Sequence, residues 1–279
     1  MRLSIPIFHS GKVYTDVEIG KPTGKILADT RSALDDSQGN FFLASKVFVG
    51  GCIQSVTEQD EQVITDPVSL KSLISKMPHK TAEQVSREII LKYYNEDDGV
   101  EGAYLCPRCG HQLICELKET EDLTLDNRDF ISNLKVNFFE EKENILSVQM
   151  EDPFVLKDRS EQRIVMEISS YSVEFPTLEH GINAFQTYGS RNPVKLQFAL
   201  YANALTKINN EKIENRWRNN YGYYFLENMP NMKKDFGSLM DRINQYGVIP
   251  FVEKTCLDCG KVWKQRVNTS NFFDSALRV

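Results

Sequence analysis

No stretch of this sequence reaches the roughly 20 consecutive apolar residues of a membrane-spanning helix, so it offers no candidate transmembrane segment. The first residues, Met1 to His9, carry a single cation and too short an apolar run to read as a secretory leader, which sets the expectation of a chain made in the reducing cytosol. Positive charge is also in short supply. Lys and Arg number 33 against 39 Asp and Glu, and the net charge of -6 with a pI near 5.4 argues against a protein whose main task is to neutralise phosphate backbones. The phosphate-cradling loops G-x-x-x-x-G-K-S/T and G-x-G-x-x-G are absent. With four histidines, three of them scattered as His9, His79 and His180, no Ser-His-Asp or Cys-His arrangement can be assembled, and no residue is nominated as catalytic. There is no internal repeat of solenoid length and no low-complexity tract.

What is present suffices for a globular protein. In 279 residues, 41% are hydrophobic and 26% charged, enough to bury a full core without disulfides. The stretches Leu3 to Phe8 and Val13 to Ile19 read as a β-hairpin. Helical spacing follows over Gly24 to Leu34 and again from Phe41 toward Ile53, the latter weakened by Gly50-Gly51. Asp66-Pro67 announces a further helix, and Thr81-Ala82-Glu83-Gln84 reads as the capping box of the next, which runs to Asn95. Between Lys118 and Gly247, strands are expected around Leu134 to Phe139, Asn144 to Val148 and Ile164 to Val173. Helices are expected over Glu179 to Tyr188, Pro193 to Ile208, Glu214 to Asn228 and Lys233 to Tyr246.

The strong chemical signal is a pair of similar segments, Tyr104-Leu105-Cys106-Pro107-Arg108-Cys109-Gly110-His111 and Lys254-Thr255-Cys256-Leu257-Asp258-Cys259-Gly260-Lys261. Each is a C-x-x-C-G turn with a strand entering and a strand leaving. The glycine has a physical reason, because wrapping two thiolates onto one ion needs a tight turn and often positive φ. Cys106, Cys109, Cys256 and Cys259 are therefore read as four ligands of one structural Zn2+ in a split zinc ribbon. Four thiolates leave zinc no open position for a water, so the site is a clip and not a Lewis acid. His111 is read as a solvated neighbour of the ligands, and Cys115 and Cys52 as packing residues. The aromatic and basic run Arg216 to Phe225 could stack bases, but its apolar members recur at helical spacing and favour packing.

The order of these features, with Lys76-Met77-Pro78 ahead of a helix, the two cysteine knuckles, Gly247-Val248 before the second and Asn271-Phe272-Phe273 near the end, resembles the T-even-type phage baseplate protein family. These are hub-associated or tail-assembly proteins of contractile-tailed phages, and the resemblance runs from about Val17 to Phe273. It implies a non-enzymatic structural or assembly component of the central baseplate, located in the virion or in the host cytoplasm during assembly. Its partners would be other baseplate and hub proteins, self-association included, with neither nucleic acid nor membrane expected. The alternative is a nucleic-acid-binding zinc-ribbon protein, suggested by Lys261, Lys264 and Arg266. The expected architecture is α+β: an N-terminal β-hairpin plus helices over 1–100, the ribbon from 101–118 and 248–275, and a mixed strand and helix insertion over 119–247. The ribbon is expected to be the hub on which the chain closes.

Overall fold

A computed structural model describes residues 1–94, 100–117, 128–130, 136–157, 164–189, 192–248 and 251–266. The chain opens on the expected hairpin, β1 (Arg2–His9) and β2 (Lys12–Ile19), turned by Ser10 and Gly11 with φ of 53° and 75°. Positive φ at both central residues gives the two-residue turn whose twist matches the strands it joins. Helices α1 (Gly24–Asp36) and α2 (Phe41–Cys52) are entered through side-chain caps, Thr23 accepting from the Ile26 amide and Asn40 from that of Leu43. The glycine pair in α2 has a packing reason: a Cβ on Gly51 would lie 2.8 Å from Ile26 of α1. Strands β3 (Ile53–Glu58) and β4 (Val63–Ile64), which the sequence pattern does not announce, complete a four-stranded antiparallel sheet in the order β1-β2-β3-β4.

Helix α3 (Pro67–Lys76) carries its expected Asp66 cap, with the carboxylate accepting from the Ser69 amide. Helix α4 (His79–Tyr94) departs from expectation. It begins at His79, and no capping box forms at Thr81, whose hydroxyl donates to the Ile5 carbonyl at 2.7 Å. One turn on, Gln84 accepts from the Ser4 amide at 2.7 Å and donates to the Arg2 carbonyl at 3.2 Å. Side chains of α4 thus satisfy the free edge of β1, which would otherwise expose unpaired backbone groups. The predicted continuation to Asn95 lies outside the described residues.

The first knuckle hairpin is β5 (Val100–Leu105) and β6 (Gln112–Leu117), with β7 (Arg128–Phe130) parallel to β6. Then come β8 (Val136–Asn137), a long hairpin of β9 (Ile145–Lys157) and β10 (Ile164–Glu174), and helices α5 (Leu178–Tyr188) and α6 (Pro193–Asn203). The expected helix over Pro193 to Ile208 is shorter: Leu205–Ile208 is β11, paired with β10 and followed through Asn209-Asn210 by β12 (Glu211–Lys212). Asn209 anchors that turn, its Oδ1 accepting from the Ser169 and Ser170 amides. The expected helix from Glu214 is three pieces, α7 (Asn215–Trp217), a π-helical turn over Arg218–Gly222, and α8 (Tyr223–Glu227). Helix α9 (Met232–Asn244) precedes β13 (Gly247–Val248), which pairs with β8, and the second knuckle hairpin β14 (Phe251–Thr255) and β15 (Val262–Arg266) closes the described chain. The class is α+β.

The aromatic run is a packing element. Phe225 and Leu226 are buried, Trp217, Tyr221, Tyr223 and Tyr224 lie against the core, and Tyr223 stacks on Tyr188 at 4.9 Å. One core cluster draws on both sides of the first knuckle, with Leu3, Ile5, Val85 and Ile89 from one side and Phe139, Phe175, Leu239 and Ile243 from the other. Phe139 joins them: its amide donates to the Ser4 carbonyl at 2.7 Å, and its ring meets Phe175 at 4.9 Å and Tyr246 at 5.0 Å. A second junction lies at Met77-Pro78-His79 and Pro176-Thr177-Leu178. Here the Leu178 amide donates to Met77 O, and both the amide and Nδ1 of His79 donate to Pro176 O at 2.9 Å. Cys106 and Cys256 are buried but lie outside this cluster. Among the described residues, the packing that joins the two sides of the first knuckle is that of this core.

Two predictions follow from this packing. A Cβ on Gly181 of α5 would sit 2.3 to 2.6 Å from the buried ring of Phe42. Gly181→Ala should therefore cost about 1–3 kcal/mol in urea unfolding, although helix propensity alone favours alanine there by about 1 kcal/mol. An alanine variant as stable as wild type would show that Phe42 moves aside freely.

The second concerns acid. Burial pushes both His79 and His180 down to about 4, with nearby cations, Lys80 for the first and Lys76 and Arg218 for the second, adding to the effect. The unfolded chain binds these protons near pH 6.5, so stability present above that pH is lost as pH falls toward 4. Glu174, whose carboxyl burial raises and whose Oε1 lies 3.4 Å from His180 Nε2, opposes the trend with one group against two. The melting temperature should drop by about 5 °C or more from pH 6.5 to pH 4.5. The slope should flatten in His79→Asn/His180→Asn, where each amide can reproduce the Nδ1 hydrogen bond; an unchanged slope would place the acid sensitivity elsewhere.

Candidate metal centre

Each knuckle is shaped by backbone hydrogen bonds that repeat from one to the other. In the first, the Cys106 amide donates to His111 O and the Gly110 amide to Cys106 O, both at 2.9 Å. In the second, the Cys256 amide donates to Lys261 O and the Gly260 amide to Cys256 O, again at 2.9 Å. Gly110 and Gly260 have φ of 74° and 65°, and a Cβ on either would meet nothing within 4 Å. Glycine is thus required by the backbone angle and not by space, a requirement worth about 1–2 kcal/mol for an L-residue. The strand registers that lead in and out also correspond, Leu105 opposite Gln112 and Thr255 opposite Val262.

These turns bring Cys106, Cys109, Cys256 and Cys259 together, with all four sulfurs within 4.8 Å of one another. The Sγ atoms of Cys106 and Cys259 are 3.7 Å apart and those of Cys109 and Cys256 are 3.5 Å apart. Disulfides would bring paired sulfurs to about 2.05 Å. Four sulfurs around a tetrahedral ion at about 2.3 Å are about 3.8 Å from each other, so the observed spacing is that of ligands and not of bonded pairs. It is the one such group of His, Cys, Asp or Glu side chains among the described residues.

The electrostatics point the same way. Burial opposes ionisation of Cys106, yet hydrogen bonds from the Cys109 and Arg108 amides and from neighbouring thiols bring it down to about 6, the Arg108 amide lying 3.4 Å from its sulfur. For Cys109 the His111 amide favours the thiolate, but burial and the three neighbouring thiols outweigh it and push this group up to about 12. Cys259 is raised as well, burial and the thiols of Cys256 and Cys106 overcoming the Lys261 amide. Four thiolates cannot share this volume unaided; a cation among them would supply the missing charge. Cys106 and Cys256, 3% and 1% exposed, form the inner edge of the cluster, while Cys109 is exposed and Cys259 half-buried.

His111 stays outside the ligand set. Its Nδ1 lies 2.7 Å from Oδ2 of Asp258, so the pair spans from one knuckle to the other. Cys52 is buried in α2 and its thiol is pushed up to about 12 by burial, which makes it an inert packing residue. The side chain of Cys115 lies outside the described residues. His79 and His180, which look scattered in the sequence, meet at the junction of α4 and α5, but through contacts that serve structure. Tertiary pairing alone brings them close, so no local pattern could have flagged them.

Because the core cluster does not include the cysteines, a chelator under reducing conditions should remove amide-exchange protection from 100–117 and 251–266. Protection in β1, α4 and β10 should remain. Global unfolding on chelation would make the ion a condition of the whole fold. No protein-family model, no curated protein and no solved structure matches this chain, so the reading of the centre stands on its own geometry.

Proposed function

We propose that this protein is a non-enzymatic structural component, held in part by a Zn2+ ion on Cys106, Cys109, Cys256 and Cys259. The observation that carries this reading is the set of four sulfurs within 4.8 Å of one another. All-sulfur tetrahedral sites favour zinc or iron over the oxygen-loving magnesium, calcium and manganese. Four cysteines complete the shell and leave no position at which the ion could activate water. When bound, zinc supplies charge and geometry; the chain's own residues supply the two preformed turns that present the sulfurs.

The larger setting we propose is the baseplate of a contractile phage tail, in the virion or in the host cytoplasm during assembly, with other baseplate and hub proteins as partners. What supports it is the layout of motifs along the sequence together with an acidic net charge that suits protein partners better than phosphate backbones. Among the described residues no helix is long and apolar enough to cross a membrane.

Elemental mass spectrometry on protein purified without chelator should give one zinc per chain, lost alike in Cys106→Ser and Cys256→Ser. Iron in its place would replace the zinc reading by an electron-transfer one, and two ions per chain would mean separate knuckles. The assembly role is tested apart from the metal. Immunogold against this chain should label the central baseplate of tails made by the cell that encodes it, or of their assembly intermediates. Unlabelled baseplates and intermediates, together with salt-sensitive binding to DNA or RNA, would favour the nucleic-acid-binding ribbon instead.

A further inference from the structure

The contact between His111 and Asp258 has a geometry that the ligand set does not explain. His111 follows the first C-x-x-C-G turn, and Asp258 lies between the two cysteines of the second. Their side chains meet at 2.7 Å, His111 Nδ1 to Asp258 Oδ2, and are 29% and 58% exposed. The same His111 accepts the Cys106 amide on its carbonyl, the hydrogen bond that shapes the first turn. One residue therefore fixes its own knuckle through the backbone and reaches the opposite knuckle through its ring. The sulfurs also meet across the knuckles, at 3.5 and 3.7 Å.

We propose that His111 and Asp258 form a latch that holds the two knuckles in register, so that the four thiols are arranged for the ion and release it slowly. In this role His111 is a positioning residue and not a fifth or substitute ligand. The inference rests on the metal-site reading above. Its physical basis is preorganisation: an ion leaves when the two halves of its shell separate, and a charge-assisted contact between the halves opposes that first step. Partners outside the ligand shell of a metal typically change affinity about 10- to 100-fold when removed. Being half exposed, this pair belongs at the low end of that range.

The test uses the full chain loaded with Co2+, whose absorption reports the ligands, and follows transfer of the ion to an excess of a coloured chelator. His111→Ala and Asp258→Ala should leave the cobalt spectrum unchanged and release the ion about tenfold faster. The double variant should release it no faster than either single one, because both remove the same contact. His111→Asn should restore slow release, since its amide can donate from about the position of Nδ1. Release at the wild-type rate in both alanine variants would sink the latch. A cobalt spectrum altered by His111→Ala would sink it differently, by making His111 a ligand. Wild-type protein that takes up neither cobalt nor zinc would overturn the metal reading itself and the latch with it.

Discussion

The structure depends on a closure made in the core, where the first turn of α4 packs against the end of α9 and β13. Lys80 of α4 makes that closure visible. Its Nζ donates to Ile243 O, Asn244 Oδ1 and Tyr246 O at 3.1, 2.8 and 3.5 Å, capping the C-terminal end of α9. Gly247 then passes so near that a Cβ would lie 3.4 Å from that of Lys80, at a φ of 92° that favours glycine. Burial at this contact brings the lysine down to about 8. Helix α4 leads into β5 and the first knuckle, while β13 leads into β14 and the second. The long segment between the knuckles is closed by packing around Phe139, by the His79–Pro176 contacts and by Lys80. The two knuckles themselves touch, with four sulfurs within 4.8 Å of one another and His111 against Asp258, so an ion at the cysteines would join hairpins already in contact.

This division of labour explains why the cluster tolerates such unfavourable electrostatics. Burial and neighbouring thiols hinder the ionisation of Cys109 and Cys259, whereas Cys106 is driven toward the thiolate. In a flexible chain the sulfurs would separate. Here the glycine turns and the strand registers hold them at ligand spacing, and the His111–Asp258 contact adds a bond across the gap. The architecture separates a core stabilised by apolar burial from a small module whose four sulfurs are spaced for an ion.

Elements whose boundaries are set by local chemistry were legible in the sequence. The hairpin at Ser10-Gly11, the Asp66-Pro67 entry to α3 and the glycine turns of the knuckles each follow from backbone preferences of a few adjacent residues. Elements settled by distant partners were not. Thr81 has the residues of a capping box but spends its hydroxyl on Ile5, because β1 offers an edge carbonyl that solvent would otherwise have to satisfy. Leu205–Ile208 continues a helical pattern yet forms β11, because β10 presents an unpaired edge beside it. The apparent weakness of Gly50-Gly51 is a close approach to α1, which no local window contains.

The sequence by itself singled out the four cysteines that the fold brings together, since C-x-x-C-G with a positive-φ glycine is a local requirement of presenting two sulfurs to one ion. It determined the α+β class through periodicity and caps. Only the tertiary structure decided that one core joins both sides of the first knuckle, that two separated histidines come to the junction of α4 and α5, and that His111 faces Asp258. Those facts depend on which residues far apart in the chain come into contact, and apolar burial chooses such contacts by the summed fit of many side chains, information that no single stretch of sequence holds.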